Sequence, residues 1–287
     1  MIVTVASGKG GTGKTMVAVN AALALRNVQF LDCDVEEPNA HLFLKPLFKK
    51  TEPVSIPVPE VDPAICTRCG RCSEVCAYNA IAVIKDTEQK KGNVLVFSNL
   101  CHGCGSCSAL CPQGAIQEVN KTIGIVQSGR AGTIQFMHGL LTIGEAMSPP
   151  IIRAIKKKID PSKTVIIDSP PGTSCPVITA VKGSDFCILV TEPTPFGLHD
   201  LHEAVQVVQK LGIPCGVVIN RADLGDARTE DYCHDQGIPV LMRIPFSKRI
   251  ARAYSKGKSI FGVMPKLKKT FKELFKRLNT IQERSLP

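Results

Sequence analysis

Ser7-Gly8-Lys9-Gly10-Gly11-Thr12-Gly13-Lys14-Thr15 is the stretch on which the reading of this chain turns. An apolar run, Ile2-Val-Thr-Val-Ala6, precedes it, and an apolar helical segment from Met16 to Leu25 follows. Strand, glycine-rich turn and helix in that order, with G-x-x-x-x-G-K-[ST] in the turn, fit a phosphate-binding loop. Gly8, Gly10, Gly11 and Gly13 let successive backbone N–H groups face an anion, Thr12 adds another, and the helix start contributes its positive dipole end. Lys14 is expected on the β- and γ-phosphates of ATP or ADP, and the Thr15 hydroxyl on Mg²⁺.

Two further segments belong with this loop. Val165-Ile-Ile-Asp168 is an apolar strand ending in an acid, so Asp168 is the expected Mg²⁺ partner, direct or through water. It runs into Ser169-Pro-Pro-Gly172-Thr, where a free Gly172 N–H could sense the γ-phosphate. A second strand, Val28 to Leu31, ends at Asp32, with Asp34 just beyond. Asp32 is a second Mg²⁺ candidate, and either acid could orient the attacking water. Later apolar runs at Thr164–Asp168, Phe186–Val190, Cys215–Asn220 and Pro239–Ile244, separated by helical segments such as Leu198–Leu211, predict an α/β fold with a doubly wound, mostly parallel sheet.

Between the two halves the character changes. Residues 45–63 carry prolines at 46, 53, 57, 59 and 63 with little periodicity, which reads as a linker. Eight of the 13 cysteines then fall between Cys66 and Cys111. Val61-Asp-Pro-Ala-Ile-Cys66 and Phe97-Ser-Asn-Leu-Cys101 lead into two four-cysteine runs, and Asn79-Ala-Ile81 and Gly114-Ala-Ile116 follow them at a period of 35 residues. Clustered free thiols are metal ligands more often than disulfide partners. So short a repeat draws on metal ligation for the stability that its small core lacks. Domain boundaries are therefore expected at 1–58 and 119–287 for the nucleotide domain, with 59–118 inserted.

Cys66-x-x-Cys69-x-x-Cys72-x-x-x-Cys76 and Cys101-x-x-Cys104-x-x-Cys107-x-x-x-Cys111 are two copies of the bacterial ferredoxin spacing. In that spacing three thiolates from one tight loop and a fourth from the other run hold each [4Fe–4S] cluster. Cys66, Cys69, Cys72 and Cys111 are thus assigned to one cluster, and Cys101, Cys104, Cys107 and Cys76 to the other. Zinc competes as a reading, but it takes separated CxxC pairs, and a doubled CxxCxxCxxxC is hard to satisfy tetrahedrally. The repeat resembles bacterial two-cluster ferredoxins, an α+β unit. Pro112 follows the second run as in those proteins, whereas Ala77 replaces proline after the first.

GKGGTGKT, the Asp32-Cys33-Asp34 pair of acids and the DSPPGT segment resemble the deviant-Walker ATPases, a P-loop NTPase group of the SIMIBI type. That group includes MinD-type cell-division ATPases, the nitrogenase iron protein and Mrp-type iron–sulfur carriers. The resemblance covers nearly the whole chain outside the insert. It implies that Lys9 reaches across an ATP-dependent homodimer to the partner's nucleotide and stabilises charge there. It also implies that Asn220, in Val217-Val-Ile-Asn220, lies against adenine, although a plain strand-end cap is open too. The two halves together resemble a subgroup of MinD-superfamily ATPases with an inserted ferredoxin domain. Such proteins are loosely labelled cobyrinic acid diamide synthases, but no amidotransferase module is recognisable here.

The net charge of +10 is a C-terminal feature: residues 243–287 hold 13 Lys or Arg and 2 Glu, whereas residues 60–116 hold five of each sign. Leu267, Phe271, Leu274, Phe275, Leu278 and Ile281 fall on one helical face with cations opposite. Such a helix can dock on its own sheet, which is preferred here, or lie on an anionic membrane. Nucleic acid is not expected, since Trp is absent and Tyr numbers three. Cys175 follows the PPGT segment and reads as a packed residue sooner than a redox or cargo ligand, and it lacks the paired CxxC of the Mrp-type carriers. Cys33, Cys187, Cys215 and Cys233 read as small hydrophobes. With no room before Ile2 for a signal peptide and no 18-residue apolar stretch, the expected compartment is the cytoplasm.

The leading functional expectation is an ATPase that couples a nucleotide-driven dimer to electron transfer, or to metallocluster assembly, on a partner protein. The full ligand set tilts this toward redox work. A MinD-like spatial switch with redox-sensing clusters is the alternative, and a ferredoxin fusion without nucleotide coupling is the third reading.

Overall fold

The computed structural model describes residues 1–285, with side chains through Leu278. It divides into two compact units, one of residues 1–51, 126–140 and 152–287, the other of residues 52–125 and 141–151. The second unit is thus wider than the 59–118 stretch marked out by the cysteines.

In the first unit β1 (Ile2–Ala6) leads through the glycine loop into α1 (Lys14–Ala24), and β2 (Val28–Asp32) and the single turn α2 (His41–Leu44) follow. The chain leaves along β3 (Leu47–Val61). Within the second unit lie α3 (Arg71–Glu74), β4 (Ile81–Ile84), β5 (Asn93–Val96) and α4 (Ser106–Ala109). The return runs along β6 (Ile116–Ala131) into β7 (Ile134–Leu141) and α5 (Pro149–Lys156). Strand and helix then alternate: β8 (Thr164–Asp168), α6 (Cys175–Val181), β9 (Phe186–Thr191), α7 (Pro195–Lys210), β10 (Cys215–Asn220), α8 (Arg228–Asp235), β11 (Val240–Ile244), α9 (Lys248–Tyr254) and α10 (Lys266–Ser285).

Among the described residues the large sheet has the order β11-β10-β9-β1-β8-β2-β7-β6-β3. The strands from β11 to β7 pair in parallel. Both faces of these strands are covered, so β1, β2, β8 and β9 are almost continuously buried, as parallel strands under helices must be. β1 lies between β8 and β9, where the chain order reverses. The carboxyl ends of the strands at such a switch point open a crevice, and the glycine loop is placed there.

One sequence expectation needs correction. Within residues 45–63, read as a linker, residues 47–61 form one long strand; residues 116–141 form a hairpin through Gly132, whose φ is 59°. Proline removes a ladder donor, which a central strand does not tolerate. β3 stands at the end of the strand order, where Pro53, Pro57 and Pro59 leave no interior ladder broken. The proline density marks an edge strand and not an irregular connection.

α1 is apolar nearly all round and is buried from Lys14 to Ala22. Its buried Asn20 is fully engaged: Nδ2 donates to the Met16 carbonyl at 2.7 Å, and Oδ1 accepts from Ser259 Oγ at 2.7 Å and from the Ile260 N–H at 3.2 Å. α10 packs beside α1, and Leu267, Phe271, Leu274, Phe275 and Leu278 are in the same core as Val17, Phe30 and Phe136. Burying side chains of this size contributes roughly 1.5–3 kcal/mol each. The apolar face of α10 is therefore occupied by its own domain, with Lys268, Lys269 and Lys272 outside. The Ile281 side chain lies outside the described residues. No described helix is long and apolar enough to cross a membrane.

Candidate functional site

The glycine loop closes tightly on its surroundings. A Cβ at Gly8 would collide with the Asp200 backbone carbonyl, and one at Gly13, whose φ is 93°, would meet the Asn220 amide at 2.5 Å. Asn220 Nδ2 donates to the Thr12 carbonyl at 2.8 Å, so the end of β10 holds the loop in place. A cavity of about 390 Å³ lies against the loop. Gly10, Gly11, Gly13, Lys14, Thr15 and Asp34 line one side of it, and Asn220, Arg221, Pro245, Phe246 and Tyr254 the other. Arg221, Phe246 and Tyr254 had no sequence signal, because neither their spacing nor their type marks a site; only the register of β10, β11 and α9 brings them there. Asn39 lines the cavity as well, with an Oδ1 that has no hydrogen-bond partner among the described residues.

The ends of β2 and β8 bring three acids to one lysine. Asp32 and Asp168 are in register on neighbouring strands, and both are completely buried. Lys14 Nζ is 2.8 Å from Asp168 Oδ1 and 3.9 Å from Asp34 Oδ2. Burial opposes the charge on Lys14, but Asp168, Asp34 and Asp32 outweigh it and hold the ammonium above the ordinary lysine range. Asp32 is pushed well up, by burial first and by Asp168 next, against the Ala40 N–H bond and Lys14. Burial likewise raises Asp34 to about 6, with Lys14 opposing and Asp168, Glu36 and Glu37 adding. One ammonium faces three carboxyls at once, so burial and neighbouring charge push Asp32 and Asp34 up. Asp168 Oδ2 has no partner among the described residues, a buried acceptor suited to a cation. With the Thr15 hydroxyl at the start of α1, this donor set fits Mg²⁺.

Lys9 Nζ lies 3.8 Å from Asp200 Oδ2, on the first half of α7. Gly172 departs from expectation: its N–H is not free but donates to the Ser7 carbonyl at 3.0 Å. With φ at 94° the turn folds back on the end of β1, and an unpaired backbone donor there would be costly. Cys175 also departs, being exposed at the first position of α6. Cys33, Cys187 and Cys233 are buried, and burial pushes their thiols up, as expected of small hydrophobes.

In the second unit the eight cysteines line two cavities. Cys66, Cys69, Cys72 and Cys111 line one, and Cys76, Cys101, Cys104 and Cys107 the other. The two halves repeat each other in detail. Arg68 and Gly103, Gly70 and Gly105, and Asn79 and Gly114 are 35 residues apart, and all have positive φ. Backbone N–H groups point at sulfur in matching pairs: Arg68 to Cys66 and Gly103 to Cys101 at 3.4 Å each, Ala80 to Cys76 at 3.2 Å, and Ala115 to Cys111 at 3.3 Å. Among the described residues no three His, Cys, Asp or Glu lie close enough to hold a single metal ion. The thiols instead surround cavities, with N–H groups aimed at their sulfurs, and that donor set fits an iron–sulfur cubane.

A glycine loop and helix start at the switch point of a parallel sheet, with Lys14 meeting the acids at the ends of β2 and β8, define a P-loop nucleotide triphosphatase. The family model for the CobQ/CobB/MinD/ParA nucleotide binding domain matches residues 3–260, and the chain belongs to that family. An uncharacterised protein of Methanocaldococcus jannaschii is 33% identical over 267 residues, 90% of this chain and 91% of that one. An iron–sulfur cluster carrier protein of Pyrococcus abyssi is 23% identical across 98% of this chain and 86% of its own. In fold, the chain is similar to the cell-division ATPase MinD of Pyrococcus furiosus, with a TM-score of 0.57 at 20% identity over 96% of this chain and 98% of that one.

Proposed function

We propose that this protein hydrolyses MgATP in a nucleotide-dependent homodimer and couples that cycle to electron transfer through two [4Fe–4S] clusters. The observation that supports the reading most is the pairing of two four-cysteine cavities with a complete phosphate cradle in one chain. The second unit is read as an inserted ferredoxin-like domain on the same ground. Bound clusters supply one-electron storage, and the thiolates of each cavity hold one of them. Redox work is favoured over metallocluster assembly because every ligand position is filled by a cysteine of the chain itself.

In the nucleotide site each residue has a separate task. The loop N–H groups and Lys14 bind the phosphates. A triphosphate offers the Lys14 ammonium a new anion, which releases Asp168 to serve Mg²⁺ with Thr15. Asp34, with a carboxyl near 6, holds and orients the attacking water. Asp32, buried behind it, keeps Ala40 in place through its 3.0 Å hydrogen bond and is a second support for the ion. Asn220 positions the loop and borders the space open to a base. Lys9 leaves Asp200 and neutralises charge on the partner's nucleotide. Differential affinity of the two nucleotide states for a redox partner then supplies the coupling.

Anaerobic purification and two measurements test this. The protein should carry about eight iron and eight sulfide per chain, and its ATPase rate should differ between the oxidised and the dithionite-reduced state. A colourless, zinc-loaded protein, or identical rates in both states, counts against it.

A further inference from the structure

The repeat in the second unit makes the two cysteine cavities alike in backbone and unlike in charge. The N–H to sulfur contacts match within 0.1 Å between the halves, as the paired distances of 3.4 and 3.4 Å and of 3.2 and 3.3 Å show. These main-chain hydrogen bonds therefore pull alike on the matching thiolates of the two sets. What differs is the side chain at the third position of each run. Arg68 stands where the second half has Gly103, and its side chain is only 14% exposed. It lines the cavity of Cys66, Cys69, Cys72 and Cys111. Among the described residues, the cavity of Cys76, Cys101, Cys104 and Cys107 is lined by no lysine or arginine; its one carboxylate, Glu118, is exposed, accepts from Ser108 Oγ at 3.0 Å and opposes reduction only weakly.

On the iron–sulfur reading above, we propose that this asymmetry separates the two clusters in reduction potential. The position held by Cys66, Cys69, Cys72 and Cys111 is the higher. A single electron delivered by an external one-electron reductant comes to rest there: the cluster at the other position is oxidised by one electron, the cluster at this one is reduced, and no proton moves. Reduction adds negative charge to the cluster, so a nearby cation favours it and a nearby anion opposes it.

Four features of the site bear on the sign. Arg68 is paired with Asp86, through Nη2 at 3.0 Å and with Nε 2.9 Å from the other oxygen. Asp86 does not line the cavity and is 51% exposed, so the positive end of the pair faces the thiols while water screens the negative end. Arg71, on the same cavity, is solvated and paired with Glu74, and it adds little. At the other cavity Ser106 Oγ lies 3.5 Å from Cys104 Sγ, a contact at the limit of hydrogen bonding that is weaker than a shielded full charge. His102 is stacked on Tyr78 there, with ring centroids 3.5 Å apart.

The test is an EPR-monitored redox titration of the full chain, reconstituted anaerobically and first assayed for iron and sulfide. Wild type should reduce in two separate one-electron steps. Arg68→Gln should lower the upper step by at least a tenfold change in the reduced-to-oxidised ratio at fixed poise, which is about 59 mV for a one-electron couple. Glutamine meets the same positive φ as arginine, so the backbone demand is unchanged. Glu118→Gln should raise the lower step alone. Asp86→Asn should raise the upper step, a change of opposite sign that keeps the test open if Arg68→Gln loses a cluster. Coincident steps in wild type, an upper step unmoved by both Arg68→Gln and Asp86→Asn, or one step moved by both Arg68→Gln and Glu118→Gln overturns the ordering while leaving the clusters in place. Wild-type protein without about eight irons overturns the iron–sulfur reading itself.

Discussion

Lys9 and Asp200 face each other within one chain, Nζ to Oδ2 at 3.8 Å, with 35% and 29% of their side chains exposed. A pair so open to water contributes about 0–1 kcal/mol, a tether that a stronger anion displaces. The same lysine is proposed to act on the partner's nucleotide, so the contact with Asp200 competes with dimer formation. Lys9→Ala should bind ATP with nearly unchanged Kd and lose at least about tenfold of its ATPase rate, in keeping with loss of a transition-state cation. Asp200→Asn should lower the protein concentration at half-maximal rate by up to about fivefold. Rate measured against protein concentration reads both, and full turnover by Lys9→Ala would refute the trans role.

Lys14 serves stability as well as binding. Among the described residues it is the cation set against Asp168, Asp34 and Asp32, and its removal leaves buried carboxyls without compensation. Lys14→Ala should abolish ATP binding and cost the free protein about 3 kcal/mol at pH 8, since it leaves a buried carboxylate without its partner. The loss should shrink at pH 5. Asp32→Asn should behave differently, because burial and Asp168 disfavour charge on Asp32 and a neutral asparagine can still accept from Ala40. Its melting temperature should stay close to wild type while its Mg²⁺ dependence weakens. Thermal melts across pH, with and without MgATP, separate the two.

Much of this site was legible in the sequence because its chemistry constrains residue type. Gly8 and Gly13 have no room for a Cβ, and Lys14, Thr15 and Asp168 sit at element ends that the apolar pattern marks. The cysteine sets were legible for the same reason, since ligand spacing fixes which thiols can share a cavity. Long-range register was not legible. Nothing local says that Asn220 reaches Thr12, that Tyr254 borders the cavity, or that Arg68 grips Asp86. β3 was missed because proline normally argues against a strand, and its edge position, which removes the objection, is a property of the whole sheet. Gly172 was expected to offer a free N–H because its bond to Ser7 depends on how the turn folds back on β1.

Asp34 gives the free protein a pH signature. Its carboxyl is raised to about 6 from an ordinary value near 4, chiefly by burial. Between those values the folded protein binds a proton that the unfolded chain does not. Stability from this group is therefore full below about pH 4 and is lost as pH rises through about 6, by ~1–2 kcal/mol after allowance for its partial exposure. Asp34→Asn should flatten that slope in apo melts between pH 4 and 7. In the ATPase the sign reverses, because orienting water needs the ionised form: the rate should climb through about pH 6 in wild type, and the variant should lack this limb.

α10 should prove structural. Phe271 and Leu274 are fully buried against the α1 side of the sheet. Phe271→Ala should cost about 3–5 kcal/mol, and deletion of residues 264–287 should prevent folding or lower the melting temperature severely. Full-length protein should show no ATP-dependent pelleting with anionic liposomes, since the apolar face needed for insertion is already used. Pelleting that disappears in a folded truncation would instead favour a membrane-bound switch.

The crossed ligand sets give the sharpest check on the second unit. Cys76 closes the first run in sequence but lines the cavity of Cys101, Cys104 and Cys107, and Cys111, which closes the second run, lines the other. Serine at a single ligand position should weaken one cluster and spare its neighbour, so Cys76→Ser should fall to about four irons per chain. A second substitution then reports which thiols share a cluster. Cys76→Ser with Cys101→Ser strikes the same cavity twice and should keep about four irons, whereas Cys76→Ser with Cys66→Ser strikes both and should keep almost none. Sequential pairing, with Cys76 serving Cys66, Cys69 and Cys72, predicts the reverse order. Iron counts on the two double variants, purified side by side without oxygen, decide between the arrangements whether or not the ATPase is active.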